Sequence, residues 1–74
     1  MQDEEYKKMG AKIKYYRQLA VISQSKLAEN VGISAQYLSR IERGKQMPSV
    51  QVLLLIAQNL QVDVSRLIDG VNIE

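Results

Sequence analysis

The chain has 74 residues, of which 46% are hydrophobic and 24% are charged, and its formal net charge is +2. This balance is typical of one soluble domain, and a chain of this length buries only about 60% of its surface, too little to enclose a large substrate cavity. Cysteine and histidine are absent, which excludes disulfides, thiolate zinc sites and the usual general base. The longest apolar run, residues 52–57, is too short to span a membrane. We therefore expect one cytoplasmic binding domain over residues 1–74, with no enzymatic activity, cofactor or metal.

Apolar residues at helical spacing predict an all-α domain of five helices. In chain order the predicted helices are Glu5–Leu19, Gln24–Val31, Ala35–Arg43, Val50–Leu60 and Val64–Asp69. We expect a frayed acidic segment over residues 1–4 and a short tail over residues 71–74.

The last four predicted helices each follow a residue that is typical of helix N-caps, because its side-chain oxygen accepts a hydrogen bond from the first turn. These residues are Ser23, Ser34, Ser49 and Asp63. Gly32 follows the second helix and Gly44 the third, where glycine favours the left-handed conformation that ends a helix. Caps and glycines together predict where the helices start and stop.

The second and third helices form a helix-turn-helix, since a turn of about four residues containing Gly32 joins them. Ala28 is small enough to let the two helices cross closely. The outward positions of the third helix form a polar to basic stripe of Ala35, Gln36, Ser39, Arg40 and Arg43. Such a helix fits the DNA major groove, where glutamine pairs with adenine and arginine with guanine.

Basic residues are concentrated in the same part of the chain. Between Lys7 and Lys45, nine lysines and arginines stand against Glu29 and Glu42, a net charge of +7, and the remaining residues carry −5. This asymmetry is compatible with charges that only solvate helix surfaces and, equally, with one face that binds a polyanion.

Several residues follow the pattern of one known family. They are Gln24, Leu27-Ala28, Gly32, Leu38, the run from Ser39 to Lys45, and Pro48-Ser49. In this pattern the chain resembles the Cro and lambda-repressor-like (XRE) helix-turn-helix regulators over about residues 10 to 70. The resemblance implies a compact lambda-repressor-like fold and a sequence-specific regulator of transcription that binds double-stranded DNA, with no small-molecule effector evident.

The resemblance also implies which residues read the bases. Ala35, Gln36 and Arg40 match the family's base-reading positions, and Ser39 lies on the same outward stripe. Relatives often carry glutamine at the position of Ala35, where it pairs with the glutamine at position 24. That pairing cannot form here, so the operator sequence cannot be transferred from a relative.

Phosphate contacts are implied at both ends of the helix-turn-helix. Ser23 and Gln24 match a phosphate contact at the start of the second helix, where backbone N–H groups favour anions. Arg43 and Lys45 match a second phosphate clamp after the third helix. Tyr37 could reach a phosphate through its hydroxyl, or pack in the core instead.

One acidic residue of the third helix has a different expected role. Glu42 lies about 40° around the helix from the apolar Leu38, so it faces inward. Arg17 lies near the apolar face of the first helix. The resemblance implies a partly buried ion pair between Arg17 and Glu42, and the alternative is an exposed pair that contributes little to stability.

The fourth helix carries more apolar surface than so small a domain is expected to bury alone. The excess consists of Val52, Leu54 and Leu55, and we expect it to form a symmetric homodimer interface together with Val64 and Ile68. The third helices of the two protomers would then lie about 34 Å apart, one turn of DNA, and would read a pseudo-palindromic site. The alternatives are a monomer and an antitoxin-like or anti-repressor-like module that binds a different chain through this helix.

Overall fold

The computed structural model describes residues 2–71 and forms five α-helices in that range, with no strand among those residues. The helices are α1 (Gln2–Leu19), α2 (Gln24–Val31), α3 (Ala35–Glu42), α4 (Val50–Leu60) and α5 (Val64–Ile68). This confirms the predicted fold class. No helix in the described part of the chain is long and apolar enough to cross a membrane.

The first helix starts earlier than predicted. It begins at Gln2 rather than Glu5, so residues 2–4, where a frayed segment was expected, form part of the first turn of α1. Acidic residues in the first turn stabilise a helix because they face the positive end of its dipole, and Glu4 and Glu5 occupy that turn. Glu5 also pairs with Lys8 one turn later, at 3.8 Å.

At the other end of the chain, the predicted tail over residues 71–74 lies outside the described residues except for Val71. Val71 is half-buried against the core, and its N–H donates to the carbonyl of Ile68 at 2.9 Å. The predicted ends of α3 and α5 are each one residue too long.

All four predicted N-caps are confirmed. The hydroxyl groups of Ser23, Ser34 and Ser49 each accept a hydrogen bond from the backbone N–H three residues later, at 3.0–3.1 Å. The carboxylate of Asp63 accepts from the N–H of Ser65 at 3.0 Å. Each cap satisfies a backbone donor that the helix itself leaves without a partner.

Four helices end in the same hydrogen-bonded turn, the Schellman motif, in which a residue with positive φ turns the chain back on the helix. This residue is Val21 after α1, Gly32 after α2, Gly44 after α3 and Gln61 after α4, with φ between 55° and 79°. Each turn is closed by two backbone hydrogen bonds of 2.9–3.3 Å. The two glycines were predicted from the sequence, whereas the valine and the glutamine were not.

The core is aliphatic and draws on every helix. Its buried residues are Met9 and Ile13 of α1, Leu27, Ala28 and Val31 of α2, Leu38 and Ile41 of α3, Leu53, Ile56, Ala57 and Leu60 of α4, and Leu67 of α5. Helix α1 packs across α3, α4 and α5, and α2 packs against α3 and α4. Helix α3 is therefore held from two sides, by α1 and by α2.

Gly10 sets how closely α1 approaches the end of α3. A Cβ atom at this position would collide with the backbone carbonyl of Ile41 and would lie 2.8 Å from that of Glu42. A side chain of any size would push the two helices apart. Gly10 thus permits the close packing of α1 against the end of α3. The sequence pattern did not indicate this role.

Candidate nucleic-acid interface

Helix α3 separates its apolar and polar residues between two faces. Leu38, Ile41 and Glu42 are buried beneath it. The outward face carries the predicted base-reading residues, of which Ala35 and Gln36 are exposed and Ser39 and Arg40 are half-buried. The structure therefore brings the four predicted base-reading residues to one surface.

Arg40 is hydrogen-bonded to a neighbouring side chain on this surface. Its Nε donates a hydrogen bond of 3.1 Å to Oε1 of Gln46, in the loop between α3 and α4. Arg43 lies one turn further along and is exposed, and its Nε donates to the carbonyl of Ser39 at 3.3 Å. The two arginines are thus held in different ways. Gln46 was not among the predicted site residues.

Beneath α3, the carboxylate of Glu42 is the centre of a hydrogen-bond network. Arg17 donates to it through two nitrogens, from Nε at 2.7 Å and from Nη2 at 3.1 Å, and Gln24 Nε2 donates at 3.0 Å. The remaining Arg17 nitrogen, Nη1, donates to the carbonyl of Ile22 at 2.9 Å. The side chain of Glu42 is only 2% exposed and that of Arg17 12%. The network joins α1, α2 and α3 where they meet.

Gln24 is half-buried, and its amide nitrogen donates to Glu42 in this network. An amide nitrogen carries two N–H groups, so one remains for a further acceptor. Ser23 is exposed, and its oxygen accepts from the backbone of Lys26, which leaves its O–H group able to donate. Both predicted phosphate ligands at the start of α2 thus retain a donor.

A cleft of about 350 Å³ opens between the C-terminal part of α1, the start of α2 and the C-terminal half of α3. It is lined by Lys14, Arg17, Gln24, Ser39, Glu42 and Arg43. Since Glu42 is neutralised by Arg17, the cleft presents the exposed Lys14 and Arg43 as its accessible charges. Lys14 was not predicted as a site residue, although it lies three residues before Arg17 and therefore on the same side of α1.

The two remaining predicted phosphate ligands differ in exposure. Tyr37 is half-buried and packs against the hydrophobic core, which is the second of the two roles left open for it. Lys45 is exposed, and its backbone N–H closes the turn after α3 by donating to the carbonyl of Arg40 at 2.9 Å. Of these two residues, Lys45 is therefore the one that is exposed to solvent.

The apolar residues predicted for a dimer interface lie on α4 and α5. Val52, Leu55, Val64 and Ile68 are half-buried and pack against the domain's own core. Leu54 is 50% exposed. Its neighbour one turn earlier, Val50, was not named in the prediction and is 71% exposed. The domain thus covers more of this surface by itself than the sequence indicated.

Comparison with known proteins places this arrangement in a family. A family model described as helix-turn-helix matches residues 13–67, about three quarters of the chain. The chain belongs to this family. Its type is the Cro and lambda-repressor-like, or XRE, helix-turn-helix, which confirms the resemblance found in the sequence.

Two curated XRE relatives illustrate the similarity. The chain is 44% identical over 62 residues to the HTH-type transcriptional regulator SinR of Bacillus subtilis, covering 82% of this chain and 56% of SinR. It is 45% identical over 53 residues to an HTH-type transcriptional regulator of Mycobacterium tuberculosis, covering 72% of this chain and 38% of that protein. The chain thus spans about half the length of these relatives or less.

Two solved XRE structures show the same fold. SinR in complex with DNA matches with a TM-score of 0.78 at 44% identity, covering 82% of this chain and 98% of that chain. The DNA-binding domain of the P22 c2 repressor matches with a TM-score of 0.79 at 32% identity, covering 84% of this chain and 82% of that chain. The predicted lambda-repressor-like architecture is confirmed.

Proposed function

We propose that this chain is a cytoplasmic, non-enzymatic regulator of transcription that binds double-stranded DNA sequence-specifically, with α3 in the major groove. The observation that carries the proposal is the outward face of α3, where Gln36, Ser39 and Arg40 stand together while the helix's acidic residue, Glu42, is buried and neutralised. The similarity to SinR, which has been solved with DNA, supports it.

The side chains on α3 suggest which bases each can read. Gln36 is exposed and offers an amide that can bond adenine through two contacts, and Arg40 offers a guanidinium that can do the same with guanine. Ala35 has only a methyl group, which fits against the methyl group of thymine. The hydroxyl of Ser39 can donate or accept a hydrogen bond, so among these residues it discriminates least between bases.

Phosphate contacts flank these base-reading residues. Ser23 and Gln24 stand at the N-terminus of α2, where the helix dipole favours an anion, and Lys14 lines the adjoining cleft. Arg43 and Lys45 stand beyond the other end of α3 and are exposed. Four or five phosphates per domain correspond to a log–log salt slope of about −7 to −9 for a dimer, because each contact releases counterions.

A homodimer through α4 and α5 completes the proposal. Val50 and Leu54 lie one turn apart on α4 and are the exposed large apolar residues of that helix, while Val52 and Leu55 of α4 and Val64 and Ile68 of α5 are half-buried. A two-fold axis at this surface would set two α3 helices about 34 Å apart on a pseudo-palindromic operator.

The same exposed pair favours a second candidate function. If Val50 and Leu54 are covered by a different chain, the protein is an interaction module of the antitoxin or anti-repressor kind, and its helix-turn-helix would need that partner to act. Self-association of the purified chain separates the two candidates.

A titration followed by NMR tests the location of the interface. The ¹⁵N-labelled chain is mixed with a duplex of about 20 base pairs at low salt, where phosphate contacts alone support binding. We expect the amide signals of α3, the start of α2 and the turn around Lys45 to shift, while those of α5 stay in place. Shifts confined to α4 and α5 would contradict the proposed interface.

A further inference from the structure

We propose that Gln46 is a positioning residue for DNA specificity, which holds the guanidinium of Arg40 so that its two terminal nitrogens point outward. The inference rests on the proposed function, in which Arg40 reads a base, and it assigns a role to the residue that hydrogen-bonds Arg40. Its observation is the hydrogen bond of 3.1 Å from Arg40 Nε to Gln46 Oε1. Neither the family pattern quoted above nor the outward stripe of α3 contains Gln46.

The geometry of the guanidinium explains what this hydrogen bond does. Arginine has five N–H groups in a fixed planar fork, one on Nε and two on each terminal nitrogen. Because Gln46 takes the Nε hydrogen, a side-on contact through Nε and Nη2 is no longer available to a base. The end-on contact, in which Nη1 and Nη2 reach O6 and N7 of guanine, remains. Gln46 therefore selects one of two ways in which Arg40 could bind.

The backbone holds Gln46 in place for this role. Gly44 has φ +76°, and the N–H of Lys45 donates to the carbonyl of Arg40 at 2.9 Å, so the chain turns back alongside α3. Gly44 is itself buried against α1, since a Cβ there would lie 2.7 Å from Cγ of Lys7. The turn therefore packs against α1 as well as α3. Its path places Gln46 where the side chain can accept the hydrogen bond from Arg40.

The chemistry of the acceptor also fits a binding role. The amide oxygen of Gln46 is neutral, so it orients Arg40 without cancelling its charge beside the DNA phosphates. A glutamate would accept the same hydrogen bond but would form an ion pair and repel phosphate. Both side chains are half-buried, and an arginine held in one orientation before binding loses less side-chain freedom on binding.

The first test needs no DNA and uses Gln46→Met, which keeps the length of the side chain and removes the acceptor oxygen. In the wild type we expect the Nε–H signal of Arg40 to exchange with water more slowly than that of the exposed Arg66. In the variant the two should exchange at similar rates. Equal rates in the wild type would overturn the proposal, as would slow exchange at Arg40 that persists in the variant.

The second test compares affinities for the operator selected by the wild type and for the same operator changed at the base pair that Arg40 reads. Gln46→Met should lower the preference between the two duplexes about 5- to 10-fold, within the range of one bidentate contact. In an Arg40→Ala background the same change should have no further effect. Gln18→Met, an exposed position on α1, is the matched control and should keep the wild-type preference.

The outcomes separate this inference from the proposed function. If Gln46→Met weakens binding to both duplexes equally, or still acts when Arg40 is alanine, the positioning role is wrong while sequence-specific binding stands. If the wild type prefers no duplex at all, the proposed function fails and the positioning role fails with it. Gln46→Glu adds a further check, because it keeps the hydrogen bond and should weaken binding to every duplex.

Discussion

Glu42 is the acidic residue of α3, and its side chain is 2% exposed and hydrogen-bonded to Arg17 and Gln24. Its carboxylate therefore holds α1, α2 and α3 together and contributes little negative charge to the surface. A buried carboxylate that loses its cation is left without compensation, which costs much more than the loss of an exposed pair.

Replacing Arg17 with alanine should therefore destabilise the fold by about 3–5 kcal/mol, the range for breaking a buried pair. Urea unfolding at pH 7 measures this directly. The matched control is the double variant Arg17→Met, Glu42→Leu, which removes both charges and should recover part of the lost stability. A loss below about 1 kcal/mol for the single variant would mean that the pair behaves as an exposed one.

Asp63 provides a pH-dependent contribution to stability at the start of α5. Hydrogen bonds from the backbone N–H and then the side chain of Ser65, with a smaller attraction from Arg66, lower the pKa of Asp63 from its usual value. A lowered pKa in the folded state means that the stabilisation is present above the unfolded pKa of about 3.9 and is lost as the pH falls through the folded value.

Asp63→Asn is the variant that tests this contribution, because asparagine is also a good N-cap but does not titrate. We expect the wild type to be the more stable of the two at pH 6, and the difference to disappear as the pH is lowered below about 4. Unfolding in urea across this pH range measures it. A difference that stays constant with pH would contradict the assignment.

Single residues were predictable where their position around a helix decided their role. Glu42 was expected to face inward from its angle to Leu38, and the structure buries it. Lys14 and Gln46 were not found, for different reasons. Lys14 could have been found from its spacing to Arg17, whereas the contact of Gln46 with Arg40 depends on the turn at Gly44 and has no periodic signal.

Helix ends show a similar division between what the sequence reveals and what packing imposes. The N-caps of α2 to α5 were all predicted, because serine and aspartate before an apolar pattern are specific signals. Gly32 and Gly44 were predicted as helix ends because glycine adopts the left-handed conformation readily. Val21 and Gln61 adopt the same left-handed conformation without being glycine, so residue type gave no indication that α1 and α4 end in the same turn.

Val21 is the less favourable of these two, because a β-branched residue is strained at φ 55°. The residue is also 91% exposed, so little packing offsets the strain. Val21→Gly should therefore raise stability, by about 0.5–1 kcal/mol once the greater freedom of glycine in the unfolded chain is subtracted. Urea unfolding checks the sign.

Ala20→Gly is the matched control for this variant. Ala20 is the exposed neighbour of Val21 and is not among the residues with positive φ, so glycine there should lower stability. If both glycine variants lower stability by the same amount, the conformation of Val21 carries no strain.

The described part of the chain, residues 2–71, measures 30 × 24 × 20 Å and presents two surfaces of different character. One is the polar and basic face around α3, and the other is the apolar strip of Val50 and Leu54 on α4. The apolar excess of α4 was predicted, but its extent was overestimated, because Val52 and Leu55 pack against the domain's own core. Sequence periodicity shows that a residue is apolar and does not show how much of it a neighbouring helix covers.

Leu54→Glu tests whether the apolar strip forms the dimer. A glutamate is solvated in a monomer, where position 54 is half-exposed, but would be buried without a partner in a dimer. Sedimentation equilibrium should give twice the chain mass of 8.4 kDa for the wild type and 8.4 kDa for the variant, with unchanged helical circular dichroism.

Gln18→Glu, which adds the same charge on exposed α1, should remain dimeric. A variant at Leu54 that still dimerises would move the interface elsewhere. A wild type that is monomeric or aggregates when purified alone would favour the module that binds a different chain.

The most direct test of sequence-specific reading by paired α3 helices is selection from a pool of randomised duplex DNA at about 150 mM salt, near physiological ionic strength. We predict enrichment of a two-fold-related motif with half-sites about one helical turn apart, and loss of preference at one base pair in each half-site for Arg40→Ala. Salt-sensitive binding to all duplexes with no enriched motif would contradict it.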